Sequence, residues 1–399
     1  MDLDNPATQL VAFGDEIPTR LHFGVGAIRD TAGICAPMGS RALVVTGRQS
    51  MQRCGVIPQL CADLEAAGMA WTRFNDLHAG PTTDDIDRGV AVCREHRADM
   101  ILALGGGNVI DGAKAIAAVA GGESGAADFL HGHMVPGDKT LPLVAIPTTS
   151  GTGSELNRSA VMTDPQRQFR DAIRSDRLFP RVAIVDPALM HGLDKHQTAI
   201  TGFDCLSHAV ESYVSPKARP DTDRLARQAM RLVCRYLPDA LADPDDTAAR
   251  RQLAVASTTM GVNLTCVGTC YPHRVDKALC ALYPHIPHGQ SVALFYPLWI
   301  ALSQVGNPAK FADIAAILAP ETATLPVDAR AESLPAIMRD FLLRLDLYHT
   351  LDDFGVTPDR IPDIAARVRG DLMVNPVPIE RSALPDLLWQ VFQPYEVRP

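Results

Sequence analysis

Residues 100–122 read MILALGGGNVIDGAKAIAAVAGG. The first of them form a short apolar run, typical of a buried strand, and the run leads into three consecutive glycines. The part after the glycines is rich in Ala, Val and Ile at helical spacing and ends at two further glycines. A strand that passes through a glycine turn into a helix predicts one repeating unit of an α/β sheet.

The same alternation recurs on both sides of this stretch. Further buried strands are predicted at ALVVTG (42–47), LPLVAIPTTS (141–150) and RVAIVDPAL (181–189), and a helix at MQRCGVIPQLCADLEAAG (51–68). Strands separated by helix-length segments predict a parallel sheet with helices on both faces. After residue 190 the chain changes to long Ala/Leu/Arg-rich segments with helical periodicity. We therefore predict an α/β dinucleotide-binding domain over 1–190 and an all-helical metal and substrate domain over 191–399, with the functional site between them.

The composition excludes several classes of protein. The 399 residues are 47% hydrophobic and 21% charged, as in an ordinary globular protein. The net charge of -9 and the absence of a long basic run argue against a nucleic-acid partner. Neither a signal-peptide layout nor an apolar run of ~20 residues is present, so we expect a cytoplasmic protein with no membrane partner. Nine scattered cysteines, an odd number, do not form a disulfide framework.

Two glycine- and hydroxyl-rich segments follow predicted strands. In GGGNVIDGAK (105–114), the glycines allow a pyrophosphate to approach the backbone, and the following helix presents free N–H groups. PTTSGTGSE (147–155) ends the next strand, where a parallel sheet gathers its ligand loops. A tight turn and a polar Ser/Thr loop without any ligand are the simpler interpretations of the two segments. Together they favour a nucleotide site.

Two other segments carry residue types that bind metals. Asp204 and His208 of GFDCLSHAVESY (202–213) stand four apart and share a face if the segment is helical. PHRVDKALCALYPHIPHG (272–289) contains His273, His285 and His288. An Asp/His pair is also common on a solvated helix face. Joined to the histidine-rich segment, however, it supplies half of a four-ligand site.

GGGNVIDGAK and PTTSGTGSE, in this order and at this spacing, resemble the two nucleotide-loop signatures of the iron-containing (group III) alcohol dehydrogenases. The resemblance extends over nearly the whole chain. It implies a dinucleotide-binding α/β domain followed by a helical metal domain, the architecture also found in dehydroquinate synthase. It further implies binding of NAD or NADP by a set of loop residues, namely Gly47, Ser50, Gly105, Gly106, Gly107, Asn108, Asp111, Thr148, Thr149, Ser154 and Leu189.

The residue after the first of these strands bears on the choice between NAD and NADP. NAD-using members of the family often place Asp there, whereas this chain has Gly47, followed by Arg48, Gln49 and Ser50. A carboxylate would repel the 2′-phosphate of NADP, while an arginine and a serine can receive it. We therefore expect tolerance of NADP.

The resemblance implies that the metal ligands are Asp204, His208, His273 and His288. Most members place the third ligand 14 residues before the last, which here is Arg274, and arginine does not bind a cation. Alignment on PHR and ALCAL gives His273 instead, with one extra residue in the loop 283–287, where an insertion costs little. His285 is then expected to be a surface histidine or a partner of the site. Fe²⁺ is implied by the family, and Zn²⁺ is possible because these ligands favour zinc by affinity.

A cation held by one carboxylate and three imidazoles keeps an open position for a substrate oxygen. As a Lewis acid it lowers the pKa of an alcohol, so that the alkoxide passes a hydride to the nicotinamide; the reverse reaction reduces an aldehyde. This implies a metal-dependent, NAD(P)-linked alcohol dehydrogenase or aldehyde reductase, expected to be a homodimer.

Two departures from the family bear on the substrate. Lys277 stands where many members have a further histidine that is thought to relay protons, and Arg158 stands where small or apolar residues are usual. Both cations could be solvated or paired with Asp276 or Glu155. Alternatively, both act at the site and bind the anionic tail of a small substrate, such as a phosphonate or a carboxylate. A lyase or cyclase resembling dehydroquinate synthase, which uses NAD transiently, and a non-catalytic metal- or nucleotide-binding protein remain alternatives.

Overall fold

The computed structural model describes residues 6–48, 50–53 and 55–392, without the side chains of Ser50 and Arg53. By their contacts, these residues divide into two compact units. The first unit comprises the chain up to Leu193 together with Asp245–Thr265, and the second comprises Asp194–Pro244 and the chain from Cys266 onward.

The first unit contains all strands of the described chain. A six-stranded parallel sheet has the order β1-β8-β5-β4-β2-β3, and β6 and β7 form a separate antiparallel hairpin. The strands are β1 (Arg20–Phe23), β2 (Arg41–Thr46), β3 (Ala70–Phe74), β4 (Met100–Gly105), β5 (Leu143–Pro147), β6 (Ser159–Asp164), β7 (Phe169–Arg174) and β8 (Val182–Val185). The order reverses between β2 and β4, which lie side by side. In open parallel sheets, ligands bind beyond the carboxyl ends of the strands at such a reversal.

The helices lie on both faces of the sheet in the first unit and make up the second unit. The first unit contains α1 (Pro6–Leu10), α2 (Thr31–Cys35), α3 (Ser50–Arg53), α4 (Val56–Ala66), α5 (Thr83–Glu95), α6 (Gly107–Ala120), α7 (Ala126–Leu130) and nearly all of α10 (Thr247–Cys266). The second contains α8 (Lys195–Val214), α9 (Pro220–Ala242), α11 (Tyr271–Leu282), α12 (His288–Ser303), α13 (Pro308–Leu318), α14 (Val327–Arg344), α15 (Ile361–Arg367) and α16 (Leu384–Val391).

The central strands are apolar on both faces because both faces are covered. Alternate residues of β2 and β4 enter two different cores, with Leu43 and Ile101 on one face and Val44 and Leu102 on the other. All four side chains are fully buried, and each contributes on the order of 1.5–3 kcal/mol by its removal from water. Continuous burial explains why these strands carry unbroken apolar sequence rather than an alternating pattern.

The predicted architecture, a parallel α/β sheet followed by a helical domain, is confirmed, and several elements differ in detail. The helix predicted over 51–68 is divided at Gly55, whose φ of +72° belongs to the left-handed region. β1, β3 and the β6–β7 hairpin were not predicted. Helix α10 belongs almost entirely to the unit that contains the sheet. The domain boundary at residue 190 therefore stays a prediction.

Across the described residues, no single helix has both the length and the apolar character required to cross a membrane. The bent pair formed by α10 and α11 meets that requirement jointly, by length and composition only.

Candidate metal centre and nucleotide loops

Helix α8 presents three functional side chains on one face. Asp204, His208 and Glu211 stand at spacings of four and three residues, which brings them onto adjacent turns. The side chains of Asp204 and His208 are 4% and 5% exposed, and that of Glu211 is fully buried. Asp194 caps the start of the helix, and its carboxylate accepts the N–H of Gln197 at 2.7 Å. Three ionisable groups so deeply buried require partners of opposite charge or a metal.

Helix α11 places His273 in its first turn. The amide ahead of the helix, Cys270 N–H, donates to Glu211 Oε2 at 2.6 Å, and Tyr271 N–H donates to Asn375 Oδ1 at 2.8 Å. Two amides at the start of α11 thus find buried acceptors from other segments. These contacts fix the position of the helix start, and with it the position of His273.

Helix α12 begins at His288 itself. Gly289, the next residue, packs against the backbone of α8: a β-carbon added there would lie 2.3 Å from the Ile200 carbonyl oxygen. Only glycine allows so close an approach. The approach brings His288 to the face of α8 that carries Asp204.

The four predicted ligands converge. Asp204 Oδ1 lies 3.6 Å from His208 Nε2, 3.5 Å from His273 Nε2 and 3.3 Å from His288 Nε2. One ligand atom from each residue falls within 4.8 Å of the others. Within the described ranges, this is the cluster whose donor atoms could together hold a metal ion.

Two outer carboxylates orient two of the imidazoles. His273 Nδ1–H donates to Glu211 Oε1 at 2.7 Å, and His288 Nδ1–H donates to Asp276 Oδ2 at 2.8 Å. Because a carboxylate accepts only, Nδ1 must carry a proton, and Nε2 of each ring faces Asp204 as the nitrogen that a metal can use. Carboxylate–histidine pairs of this kind are the usual support of metal-binding histidines.

The electrostatics of the cluster favour a positive charge at its centre. Burial alone would raise the pKa of Asp204, but His208 and His288 hold it well below its usual range. Burial would lower the pKa of His273, yet the charge of Glu211, the close approach of Asp204 and the hydrogen bond to Glu211 raise it to about 9. Asp204 Oδ1 and His273 Nε2 are buried and make no hydrogen bond of ordinary geometry with the described residues. One carboxylate, three imidazole nitrogens and this field fit a divalent cation.

The cluster is open on one side. The side chain of His288 keeps 31% of its surface exposed, whereas those of the other three ligands keep between 4% and 7%. A small molecule can therefore reach the cluster past His288.

The remaining residues of the histidine segment lie outside the cluster. His285 is exposed and donates from Nε2 to the Phe354 carbonyl at 3.1 Å, in agreement with a surface role. Arg274 donates to the Thr269 carbonyl at 3.1 Å. Lys277 lies one turn after His273 on α11 and is partly buried.

Sequence reasoning did not single out the two outer carboxylates. Glu211 could have been found, because it stands seven residues after Asp204 and so shares its helix face. Asp276 was considered only as a partner of Lys277. Its contact partner His288 stands 12 residues later, on the next helix, and the pair has no spacing signal.

In the first unit, the glycines of 105–107 lie where β4 passes into α6. Gly105 ends the strand, Gly106 precedes the helix and Gly107 begins it. A β-carbon on Gly107 would lie 2.4 Å from Thr152, and one on Gly106 would lie 3.2 Å from Thr149. The two predicted nucleotide loops therefore lie directly against one another.

Several other predicted cofactor contacts are engaged within the protein. Asn108 donates to the Ala79 carbonyl, and Thr148 N–H donates to the Gly105 carbonyl at 3.1 Å. Leu189 is buried in the core on one face of the sheet. The side chain of Ser50 lies outside the described part of the chain. A contact of these residues with a dinucleotide stays a prediction.

Arginines lie at or beside the residues that bear on the choice of cofactor and of substrate. Gly47 directly follows β2, and its carbonyl accepts from Arg73 at 3.4 Å. Arg48 is half exposed and pairs with Asp76 at 3.3 Å. Arg158 pairs with the exposed Asp176 at 2.5 Å, rather than with Glu155.

Two sequence profiles of one family match most of the chain. The first, described as iron-containing alcohol dehydrogenase, matches residues 18–187, and the second, described as the C-terminal part of the Fe-containing alcohol dehydrogenase family, matches residues 198–391. The chain belongs to the iron-containing alcohol dehydrogenase family. Membership confirms the resemblance drawn from the two nucleotide loops. This iron-containing alcohol dehydrogenase is therefore an oxidoreductase of alcohols and aldehydes, from a metal-dependent family with NAD-dependent members.

Relatives of this alcohol dehydrogenase differ in the substrates that their names give. A choline dehydrogenase of Bacillus subtilis (strain 168) is 32% identical over 362 residues, 89% of each chain. A 1,3-propanediol dehydrogenase of Klebsiella pneumoniae is 33% identical over 371 residues, 90% of this chain and 94% of its own. The crystal structure of a sulfoacetaldehyde reductase from Bifidobacterium kashiwanohense, in complex with NAD⁺, is 29% identical with a TM-score of 0.81, over 94% of this chain and 97% of that one. The names of these three relatives thus give a cationic, a neutral and an anionic substrate, and their sequence identities to this chain are similar.

Proposed function

We propose that this family member interconverts a small aldehyde and its alcohol, that the substrate carries an anionic tail, and that Lys277 binds that tail. The chemistry is supported by one observation above all, the convergence of Asp204, His208, His273 and His288 with outer carboxylates on two of them. We further propose that the enzyme is a cytoplasmic homodimer.

The protein's own groups prepare the site for this reaction. A divalent metal held by these four residues would supply Lewis-acid polarisation of the substrate oxygen. Glu211 and Asp276 retain the protons on Nδ1 of His273 and His288, so both rings present Nε2 inward. The exposed side of His288 gives the substrate its path. Lys277, one turn after His273, stands where many members have a proton-relaying histidine.

Three features support an anionic tail. Lys277 lies on the helix that carries His273, and its partial burial strengthens a charge-assisted contact. A lysine at this position disfavours a quaternary ammonium such as that of choline. A relative of similar identity is named a sulfoacetaldehyde reductase, whose substrate is a two-carbon aldehyde with a sulfonate tail.

Arg158 is the second cation proposed to bind the tail, and fewer contacts support its role. Its ion pair with Asp176 is half exposed, and pairs of this kind contribute little. If Arg158→Ala leaves kcat/KM for sulfoacetaldehyde unchanged, the simpler interpretation holds, and this arginine is a surface residue.

The deciding experiment compares kcat/KM for three short aldehydes that differ in charge, namely sulfoacetaldehyde, propionaldehyde and betaine aldehyde. We expect Lys277→Met to lower kcat/KM at least ~10-fold for sulfoacetaldehyde and less than ~3-fold for propionaldehyde, because one charge-assisted contact is worth about 1.5–3 kcal/mol. Lys277→His, which restores the residue common in the family, should retain turnover of the neutral aldehyde. Equal losses on the charged and neutral substrates would contradict the tail-binding role.

We also propose that the enzyme accepts NADP. The support is Gly47 at the end of β2, where a carboxylate would repel a 2′-phosphate, with Arg48 beside it. Introducing the carboxylate by Gly47→Asp should lower kcat/KM for NADPH at least ~10-fold relative to NADH. An unchanged ratio of the two cofactors in this variant would refute the proposal.

A further inference from the structure

Lys114 is a buried cation that neither the metal centre nor the proposed chemistry uses. It lies on α6, one helix turn after Asp111, and is 1% exposed. Its ammonium lies within 3.0 Å of four acceptors, which are Ser154 Oγ, Asn157 O, Asn157 Oδ1 and Ser159 O. An ammonium has three protons, so these acceptors satisfy it fully.

All four acceptors belong to one segment, residues 154–159. This segment directly follows the loop 148–153 that faces Gly106 and Gly107. Asp111 accepts the Ser154 hydroxyl of this segment at 2.5 Å and, just beyond the segment, the Val161 N–H at 3.0 Å. Two charged groups of α6 therefore hold this segment and the start of β6, each at more than one point.

Helix α10, in the same unit, closes the opposite side of the loop. Gly153 has a φ of +57°, and a β-carbon on Gly261 would lie 2.3 Å from its carbonyl oxygen. Thr258 donates to Glu155 Oε1 at 2.9 Å. The loop is thus held between α6 and α10 and has little freedom to change shape.

Burial of this charge has a cost, because desolvation disfavours the ammonium. The same effect lowers the pKa of Lys114 to about 8. An apolar side chain of the same length would avoid that cost, but it would leave the carbonyls of Asn157 and Ser159 buried without a donor. What the charge supplies is a single conformation for the loop. Buried polar networks that are fully satisfied rigidify the segments that they join.

We propose that Lys114 is a positioning residue for the dinucleotide. It holds the loop 148–153 in the shape that binds the nucleotide phosphates and touches neither nucleotide nor substrate. This inference rests on the use of a dinucleotide by the enzyme.

The test compares Lys114→Met with Lys139→Met, an exposed lysine of the same unit. The measurements are the Kd of NADH and NADPH by fluorescence, KM for the nucleotide, kcat at saturating nucleotide, metal content and unfolding temperature. We expect Lys114→Met to raise Kd and KM for the nucleotide at least ~10-fold, with kcat and metal content changed less than ~3-fold. The control variant should match the wild type.

A lower unfolding temperature of Lys114→Met with an unchanged nucleotide Kd would overturn the proposal, because a merely structural lysine affects stability alone. If Lys114→Met does not fold, Asn157→Ala removes one of the four acceptors and should raise the nucleotide Kd at least ~3-fold. An unchanged Kd in that variant overturns the proposal as well. Failure of the wild type to bind either nucleotide would refute the proposed function and this inference with it.

Discussion

Among single residues, Glu211 has the most consequences for the metal centre. Its two oxygens accept from His273 Nδ1–H and from Cys270 N–H, so one carboxylate both orients a ligand and fixes the start of α11. A partial positive charge at that helix start further stabilises the carboxylate. Loss of its negative charge should therefore affect metal binding and stability together.

We expect Glu211→Gln to weaken metal binding by ~10–100-fold and to lower the free energy of unfolding by about 1–3 kcal/mol. A glutamine offers one acceptor where two donors point, so one of the two hydrogen bonds is lost. Metal competition with a chelator and denaturant unfolding would measure both effects. Glu332→Gln, an exposed glutamate on α14, is the matched control. A metal affinity within twofold of the wild type would show that the contact to His273 is incidental.

Lys114 makes the stability of the enzyme depend on pH. Its folded-state pKa of about 8 lies below the ordinary value of 10.5, so between these values the unfolded chain holds a proton that the folded chain has released. The free energy of unfolding therefore gains a contribution as the pH rises from 8 to 10.5, at most about 3 kcal/mol. Unfolding of wild type and Lys114→Met at pH 7 and pH 10 would isolate this contribution, because the other titrating groups are common to both. A pH-independent difference between the two proteins would argue against it.

Among the elements, α12 depends most on a single glycine. Its start is pressed against the backbone of α8 at Ile200, and it carries His288 at its first position. The ligand cluster therefore depends on the distance between these two helices.

We expect Gly289→Ala to displace the start of α12, because its β-carbon would lie 2.3 Å from a backbone oxygen that cannot rotate away. The overpacking should cost about 1–3 kcal/mol of stability and move His288 away from Asp204, which reduces metal occupancy. Calorimetry and metal analysis would measure both. Gly33→Ala is the control, since that helical glycine has open space around it and alanine favours helices. Full metal occupancy in Gly289→Ala would show that α8 and α12 tolerate separation.

Elements with continuous apolar sequence were predictable, and those with mixed sequence were not. β2, β4, β5 and β8 are buried along almost their whole length, so their residue types alone indicate strands. β1 and β3 lie at the two edges of the sheet, and their partly exposed residues mix charged and apolar types. Edge strands of this kind give no clear pattern.

The metal ligands could be predicted from the sequence, whereas Asp276, which orients one of them, could not. Arg274 cannot bind a metal, so residue chemistry and the family resemblance together favoured His273, and the structure brings that residue to Asp204. The contact of Asp276 with His288 depends on how α11 and α12 meet across a proline loop. Such a contact is a product of tertiary packing and leaves no periodic signal in the sequence.

In the whole molecule, each unit carries one set of predicted binding residues. The four predicted metal ligands all belong to the second unit, and the loops at the carboxyl ends of β4 and β5 belong to the first. Each ligand should therefore stabilise its own unit by mass action, about 2.7 kcal/mol at a concentration one hundred times Kd.

Hydrogen exchange in the presence of each ligand tests this division. We expect Fe²⁺ or Zn²⁺ to protect amides of α8, α11 and the start of α12, because the metal ties these three helices together. We expect NADH to protect the start of α6 and the loop 148–153, because these segments are its predicted contacts. Asp204→Asn removes the ligand on which the three histidines converge, so it should abolish protection by the metal and leave protection by NADH intact. Loss of both patterns in this variant would mean that the metal centre also maintains the nucleotide loops.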